Sequence, residues 1–418
     1  MTAPAASHRR ILFASLVGTS VEFYDFYIYA TAAALVFGPL FFPAQEPWLQ
    51  QLGAYASFSV AFFARPLGGL VFGHFGDRLG RKSTLVASLM LMGASTVLIA
   101  FLPTYAMIGW VAPLLLCVMR FGQGFGLGGE WGGASLLAVE NAPPGWANRY
   151  GSFPPMGAPV GFLFANGFFL ILGALMSEDQ FRDWGWRLPF LASAVLVALG
   201  LWVRLRITET PEFVEAGEKA PPPAVPIGEL LRDHALPTIA GTMGTIACFA
   251  LFYISTLFVI GYGTKGLHYD RETFLGVELA AILFMAAGIA TAGTIADRTS
   301  AGRMLALGCL VTIPVGLSMP ALLVPGSLVS VFGWLAFALF TMGFVYGPLG
   351  GWLPSLFPAR VRYTGVSVTF NIGGIIGGGL TPLIAETLVK QHGLGAVGYY
   401  LAGAALLSLV GLVMLRRR

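Results

Sequence analysis

Charge is what this chain has least of. Asp, Glu, Lys and Arg make up only 11% of its 418 residues, where a soluble domain carries about a quarter. So little charge cannot clothe a folded surface of that size in water. Cysteine is scarce as well: Cys117, Cys248 and Cys309 sit singly in apolar runs, which excludes a disulfide framework or a cysteine-held metal and leaves them as small packing residues. No G-x-x-x-x-G-K-[ST] occurs, so the chain is not itself an ATP-driven pump. The glycine-rich Gly124-Phe-Gly-Leu-Gly128-Gly129 lies inside an apolar run with no strand before it, so it is no phosphate loop either. Without a nucleophile beside a base, a metal cluster or a cofactor motif, nothing points to an enzyme.

Apolar length is what the chain has in abundance. It is 56% hydrophobic, with a mean hydropathy of +0.77. A bilayer core of about 30 Å takes about 20 apolar residues of helix, and runs of that length lie near 11–40, 50–76, 84–105, 108–139, 150–176, 186–207, 236–264, 273–296, 303–325, 328–353, 363–389 and 394–415. They are continuous rather than alternating, which favours helices over barrel strands. The 55 glycines and 26 prolines would break a soluble bundle. In a membrane, glycine lets helices approach and neighbours re-satisfy proline kinks. The expected fold class is therefore an all-α membrane protein of twelve transmembrane helices. The first run exceeds a signal-peptide core and lacks a small-residue cleavage site, which predicts a retained helix.

The net charge of +4 looks like a nucleic-acid patch until the basic residues are placed on this topology. With both termini in the cytoplasm, seventeen of the 24 Lys and Arg residues fall inside, among them Arg9, Arg10, Arg149, Arg204, Arg298, Arg303, Arg362 and the terminal Arg416, Arg417 and Arg418. The positive-inside rule accounts for the charge, and no nucleic acid is expected as a partner. One long hydrophilic stretch, 208–235, separates six spans in 1–207 from six in 236–418. Two loop pairs recur at nearly the same separation. Gly73-His-Phe-Gly-Asp77-Arg78-Leu-Gly80-Arg81-Lys82 is echoed by Gly293-Thr-Ile-Ala-Asp297-Arg298-Thr-Ser-Ala-Gly302-Arg303, and Arg149-Tyr-Gly151 by Arg362-Tyr-Thr-Gly365. Duplicated halves of a carrier produce this pattern.

On these residues the chain resembles the major facilitator superfamily, whose loop after the second span has the form G-x-x-x-D-R-x-G-R-K. Within it, Val21-Glu-Phe-Tyr-Asp-Phe26, Arg65-Pro66-Leu-Gly-Gly69, Gly128-Gly-Glu-Trp-Gly-Gly133, Trp184-Gly-Trp-Arg-Leu-Pro-Phe190 and Glu209-Thr-Pro211 resemble the metabolite:proton symporter group, carriers of citrate, α-ketoglutarate, shikimate and proline or betaine. The resemblance implies two pseudo-symmetric six-helix bundles that alternate access, in the cytoplasmic (inner) membrane of a bacterium. It also implies a small polar solute and protons as cargo, a lipid bilayer as surroundings, a monomer, and no cofactor beyond the proton gradient. An exporter or proton antiporter would carry the same charges. A non-transporting sensor would be expected to bring an added soluble domain, and the chain stops three residues past Leu415.

Ionised groups cost several kcal/mol at mid-bilayer, so those found there are candidates for function. Five stand out, all in the first half: Glu22, Asp25, Arg65, Arg120 and Glu130. Glu22, Asp25 and Tyr29 share one helix stripe, as do Arg120, Gln123 and Glu130. An unpaired buried charge costs far more than a paired one, which predicts the acids of the first span facing Arg120. The resemblance points the same way. Asp25 is then the proton carrier, Glu22 its partner or substitute, and Arg120 the substrate anchor; the alternative is that the charges only pin helices together. Arg65 binds an anionic substrate or locks its helix to Glu130, itself a second proton site or a close-packed lock. Tyr253, Tyr346 and Asn371 are candidates for the cavity wall in the second half, or ordinary core. Gly73, Asp77, Arg78, Gly80 and Arg81, with Asp297 and Arg298 in the second copy, mark topology alone or, as the resemblance implies, a gate in which the aspartate sits at the positive end of a helix. No metal site is expected.

Overall fold

The computed structural model describes residues 5–44, 46–79, 81–128, 130–205, 226–358 and 361–416, with side chains from residue 12 on except at 14, 73–85, 137, 203–205, 226, 227 and 416. Helices stand at all twelve expected positions. In chain order they are α1 Ala5–Ala32, α2 Pro47–Leu79, α3 Arg81–Ile99, α4 Val111–Leu127, α5 Phe153–Leu175 and α6 Leu188–Leu205. There follow α7 Ala235–Tyr253, α8 Arg271–Arg298, α9 Ala301–Leu317, α10 Leu328–Ser355, α11 Arg362–Gly374 and α12 Leu394–Arg416. No strand occurs among the described residues. Ten helical stretches are long and apolar enough to cross a membrane, and the apolar helices Val86–Ile99 and Ala301–Leu317, at the third and ninth positions, are shorter.

Several spans are not uniform α-helix. The fourth span is described as Val111–Leu127 and Glu130–Glu140, with Gly129 outside the described residues. α1 runs on through a π turn at Ala33–Phe37, and α7 through one at Ile254–Phe258, in corresponding places of the two halves. Another π turn, Ile375–Gly379, carries α11 into Thr381–His392. Of the hydrophilic stretch 208–235, residues up to 225 lie outside the described residues; the rest forms the short helix Pro226–Asp233 and the start of α7.

Packing follows from side-chain size. α2 and α4 cross where a Cβ on Gly68 would fall on the carbonyl of Phe125, and one on Gly128 on the carbonyl of Arg65. Only glycine permits that approach. α1 packs on α5, α3 on α4 and α6, α8 on α10, and α12 on α7 and α9; the first six helices meet the last six chiefly where α5 lies on α8 and α2 on α11. α7 is buried along nearly its whole length, whereas the outer helices expose Phe164, Leu175, Val195 and Val329, side chains that suit acyl chains and not water.

Candidate functional site

Between the two sets of helices lies a small cavity of about 60 Å³, walled by Glu22 and Phe26 of α1, Arg65 of α2, Trp131, Phe249 and Tyr253 of α7, Tyr346 of α10, and Phe370 and Asn371 of α11. Much of this wall is tied across the seam. Trp131 stacks on Phe370 with ring centres 3.6 Å apart, and its indole N–H donates to the Tyr346 hydroxyl at 3.1 Å. The Asn371 amide donates to the Gly128 carbonyl at 3.0 Å. Arg65 lays its guanidinium over the rings of Phe26 and Phe62, at 4.7 and 4.8 Å, and its Nε has no hydrogen-bond partner. A half-buried cation with a spare donor is thus presented beside the cavity.

Behind Phe26 stands a second layer. Arg120 is fully buried, with its guanidinium carbon 4.4 Å from the Phe26 ring centre, 4.1 Å from that of Tyr29 and 4.7 Å from that of Phe58. Phe26 therefore touches both arginines. From Arg120 a chain of hydrogen bonds runs inward: Arg120 Nη1 donates to Gln123 Oε1 at 3.0 Å, Gln123 Nε2 to Thr96 Oγ1 at 2.8 Å, and Thr96 Oγ1 to Asp25 Oδ2 at 3.2 Å. Ser193 Oγ donates to the other Asp25 oxygen at 2.5 Å. α1, α3, α4 and α6 each contribute one or more of these groups.

The expected direct pairing of Asp25 with Arg120 does not form: the two are joined through Gln123 and Thr96. Asp25 points between α3 and α6, where two hydroxyls meet it, while Arg120 points toward the rings of α1 and α2. Of the expected site residues, Glu22, Arg65, Tyr253, Tyr346 and Asn371 line the cavity; Asp25, Tyr29, Arg120, Gln123 and Glu130 do not. Tyr29 donates to Ser57 at 2.7 Å.

At the end of the bundle that carries both termini, Asp297 accepts from the backbone N–H groups of Asn148 and Arg149 at 2.8 and 3.4 Å and pairs with Arg149 Nε at 3.2 Å. Those donors belong to the first turn of the short helix Ala147–Gly151, whose positive end faces the carboxylate. Arg298, next in sequence, is exposed. The side chains of Gly73, Asp77, Arg78 and Arg81, and Gly80 altogether, lie outside the described residues. At the opposite end Tyr55 donates to the Leu257 carbonyl at 3.4 Å, Lys265 to Gln51, and Arg271 pairs with Glu178 at 3.3 Å. The cleft between the halves is bridged at both ends.

Sequence reading missed Thr96 and Ser193, because a hydroxyl in an apolar run carries no signal. It also missed Glu278 of α8, which is fully buried, so buried acids are not confined to the first half. Its signal was visible: a carboxyl within the apolar run 273–296.

The profile of the Major Facilitator Superfamily matches residues 15–382. The chain belongs to that superfamily. Among its relatives, the inner membrane metabolite transport protein YhjE of Escherichia coli K12 is 48% identical over 418 residues, covering 98% of this chain and 94% of that protein. The shikimate transporter of the same strain is 36% identical over 414 residues, covering 97% and 94%. Among solved structures, the xylose transporter XylE from E. coli, in a partially occluded inward open conformation, shares the fold with a TM-score of 0.75 at 14% identity, covering 99% of this chain and 98% of that one. As a member of the superfamily the chain is a metabolite transporter, not an enzyme, and its relative YhjE is an inner membrane protein.

Proposed function

We propose that the protein takes up a small carboxylate or zwitterion together with protons, by rocking residues 1–207 against 236–418 about the linker 208–235. Its termini face the cytoplasm and it works as a monomer. The observation that carries this reading is the spare donor of Arg65 at the cavity, with Glu22 beside it and Asp25 connected inward through Arg120. A guanidinium clamps carboxylate through charge-assisted hydrogen bonds. An anion on Arg65 disturbs Phe26 and, through it, Arg120; the relay then alters what holds Asp25. Movement of Phe26 opens Arg120 to the substrate as a second anchor. Shikimate, proline and betaine, named for relatives of this chain, each bear a carboxylate.

Uptake of a panel of carboxylates and zwitterions into proteoliposomes under an imposed pH gradient tests the reading. Gradient-driven accumulation of one of them is expected, and Arg65→Gln should raise its KM about tenfold to a hundredfold, the worth of a charge-assisted bond of about 1.5–3 kcal/mol. Accumulation indifferent to the pH gradient, or intact in both Asp25→Asn and Glu22→Gln, overturns the proton coupling.

A further inference from the structure

Glu278 has no atom in contact with solvent, and neither of its carboxyl oxygens has a hydrogen-bond partner. Among the described residues, no cation is seen beside it. α10 and α5, the helices most closely packed on α8, contain no acidic, basic or histidine side chain along their whole lengths. Arg271 on its own helix is held by Glu272 at 2.7 Å and by Glu178. Lys265 at the end of α7 donates to Gln51. Arg149 is engaged by Asp297, about 28 Å along α8 at 1.5 Å per residue. Among the described residues, Tyr27 of α1 and Tyr55 of α2 are titratable groups that interact with it electrostatically. α8 packs on α5 of the first half, and Gly293, fifteen residues on and about 60° round the helix from Glu278, would set a Cβ against Ser152 and Asn148 of that half, which puts Glu278 toward the seam. Tyr27 Oη lacks a partner as well, while Tyr55 is taken by the Leu257 carbonyl.

A carboxylate sealed in this way, with neither donor nor counterion, is far more costly than the neutral acid. We infer that Glu278 is a second proton-binding site, filled while the seam between the halves is closed and emptied when α8 parts from the first half and water reaches it. The proton comes from that water and returns to it; no other bond changes. This rests on the carrier reading above for its part in transport, but not for its occupancy.

Infrared difference spectra of the full chain in liposomes, wild type minus Glu278→Gln, read the occupancy directly. A protonated-carboxyl band at neutral pH is expected; a carboxylate pair in its place overturns the inference. Proteoliposomes read the coupling. The ratio of pH-driven accumulation to substrate exchange is expected to collapse in Glu278→Gln and to be partly restored in Glu278→Asp. If Asp25→Asn loses that ratio while Glu278→Gln keeps it, the second site is refuted and the carrier reading stands. If the wild type ignores the gradient, the carrier reading fails and the infrared result alone decides the site.

Discussion

Thr96 is the narrowest point of the charged network. Its single hydroxyl accepts from Gln123 and shares its proton between Asp25 at 3.2 Å and the Met92 carbonyl at 2.9 Å, so one substitution separates the arginine from the acid without touching either. Thr96→Val keeps the shape and leaves Gln123 Nε2 with an unmet bond in the buried interior, a cost of about 1–3 kcal/mol. The expected outcome has two parts. Thermal unfolding in detergent shifts down modestly, and accumulation driven by a pH gradient falls much further than substrate exchange does. Thr96→Ser restores the hydroxyl and should recover both. If Thr96→Val lowers accumulation and exchange in equal proportion, Thr96 only supports packing and the relay carries no coupling. Phe26 is the comparable point on the apolar side: its ring lies against both Arg65 and Arg120, and a cation over an aromatic face is stabilised by about 1–2 kcal/mol when desolvated.

At the scale of helices, the crossing of α2 and α4 sets where both arginines stand. A side chain at Gly68 must displace the Phe125 backbone, which cannot yield as a flexible side chain would. Gly68→Val is expected to push the helices apart, destabilise the fold by about 1–3 kcal/mol or more, and abolish uptake. Gly333→Ala on α10 meets nothing within 4 Å and should leave melting and uptake nearly unchanged. The same melting curve for both variants removes the crossing from the argument. This level is also where sequence reading succeeds and fails. Twelve spans were legible because lipid demands length and continuous apolarity, a one-dimensional property. Glu22, Arg65, Tyr253, Tyr346 and Asn371 could be singled out in the sequence because polar or charged groups inside spans are rare, and they line the cavity. The direct pairing of Asp25 with Arg120 was not read correctly, because helix rotation decides which neighbour a side chain meets. Rotation is set by crossings such as Gly68 on Phe125, between residues far apart in the chain.

Across the whole molecule, the two closed ends of the cleft are unequal, and magnitudes say which holds harder. The Arg271–Glu178 pair has an acid whose side chain is 77% exposed, and such pairs are worth about 0–1 kcal/mol. Asp297 is 4% exposed, with an ion pair and two backbone donors. Charge-assisted bonds of that kind contribute about 1.5–3 kcal/mol each. Asp297→Asn keeps the size but removes the charge that both Arg149 and the positive end of the Ala147–Gly151 helix favour. A loss of about 2 kcal/mol moves the balance between closed and open forms roughly thirtyfold at the end with the termini. Spin labels at Gly145 and Ser300, in a background with the three native cysteines replaced, measure that balance as a distance distribution. Asp297→Asn should add a population at longer distance, whereas Glu178→Gln, probed by a label pair at the opposite end, should change little. Should the two substitutions shift their distributions alike, the stronger hold assigned to Asp297 is wrong, and the asymmetry that would bias the carrier toward one side lies elsewhere in the seam.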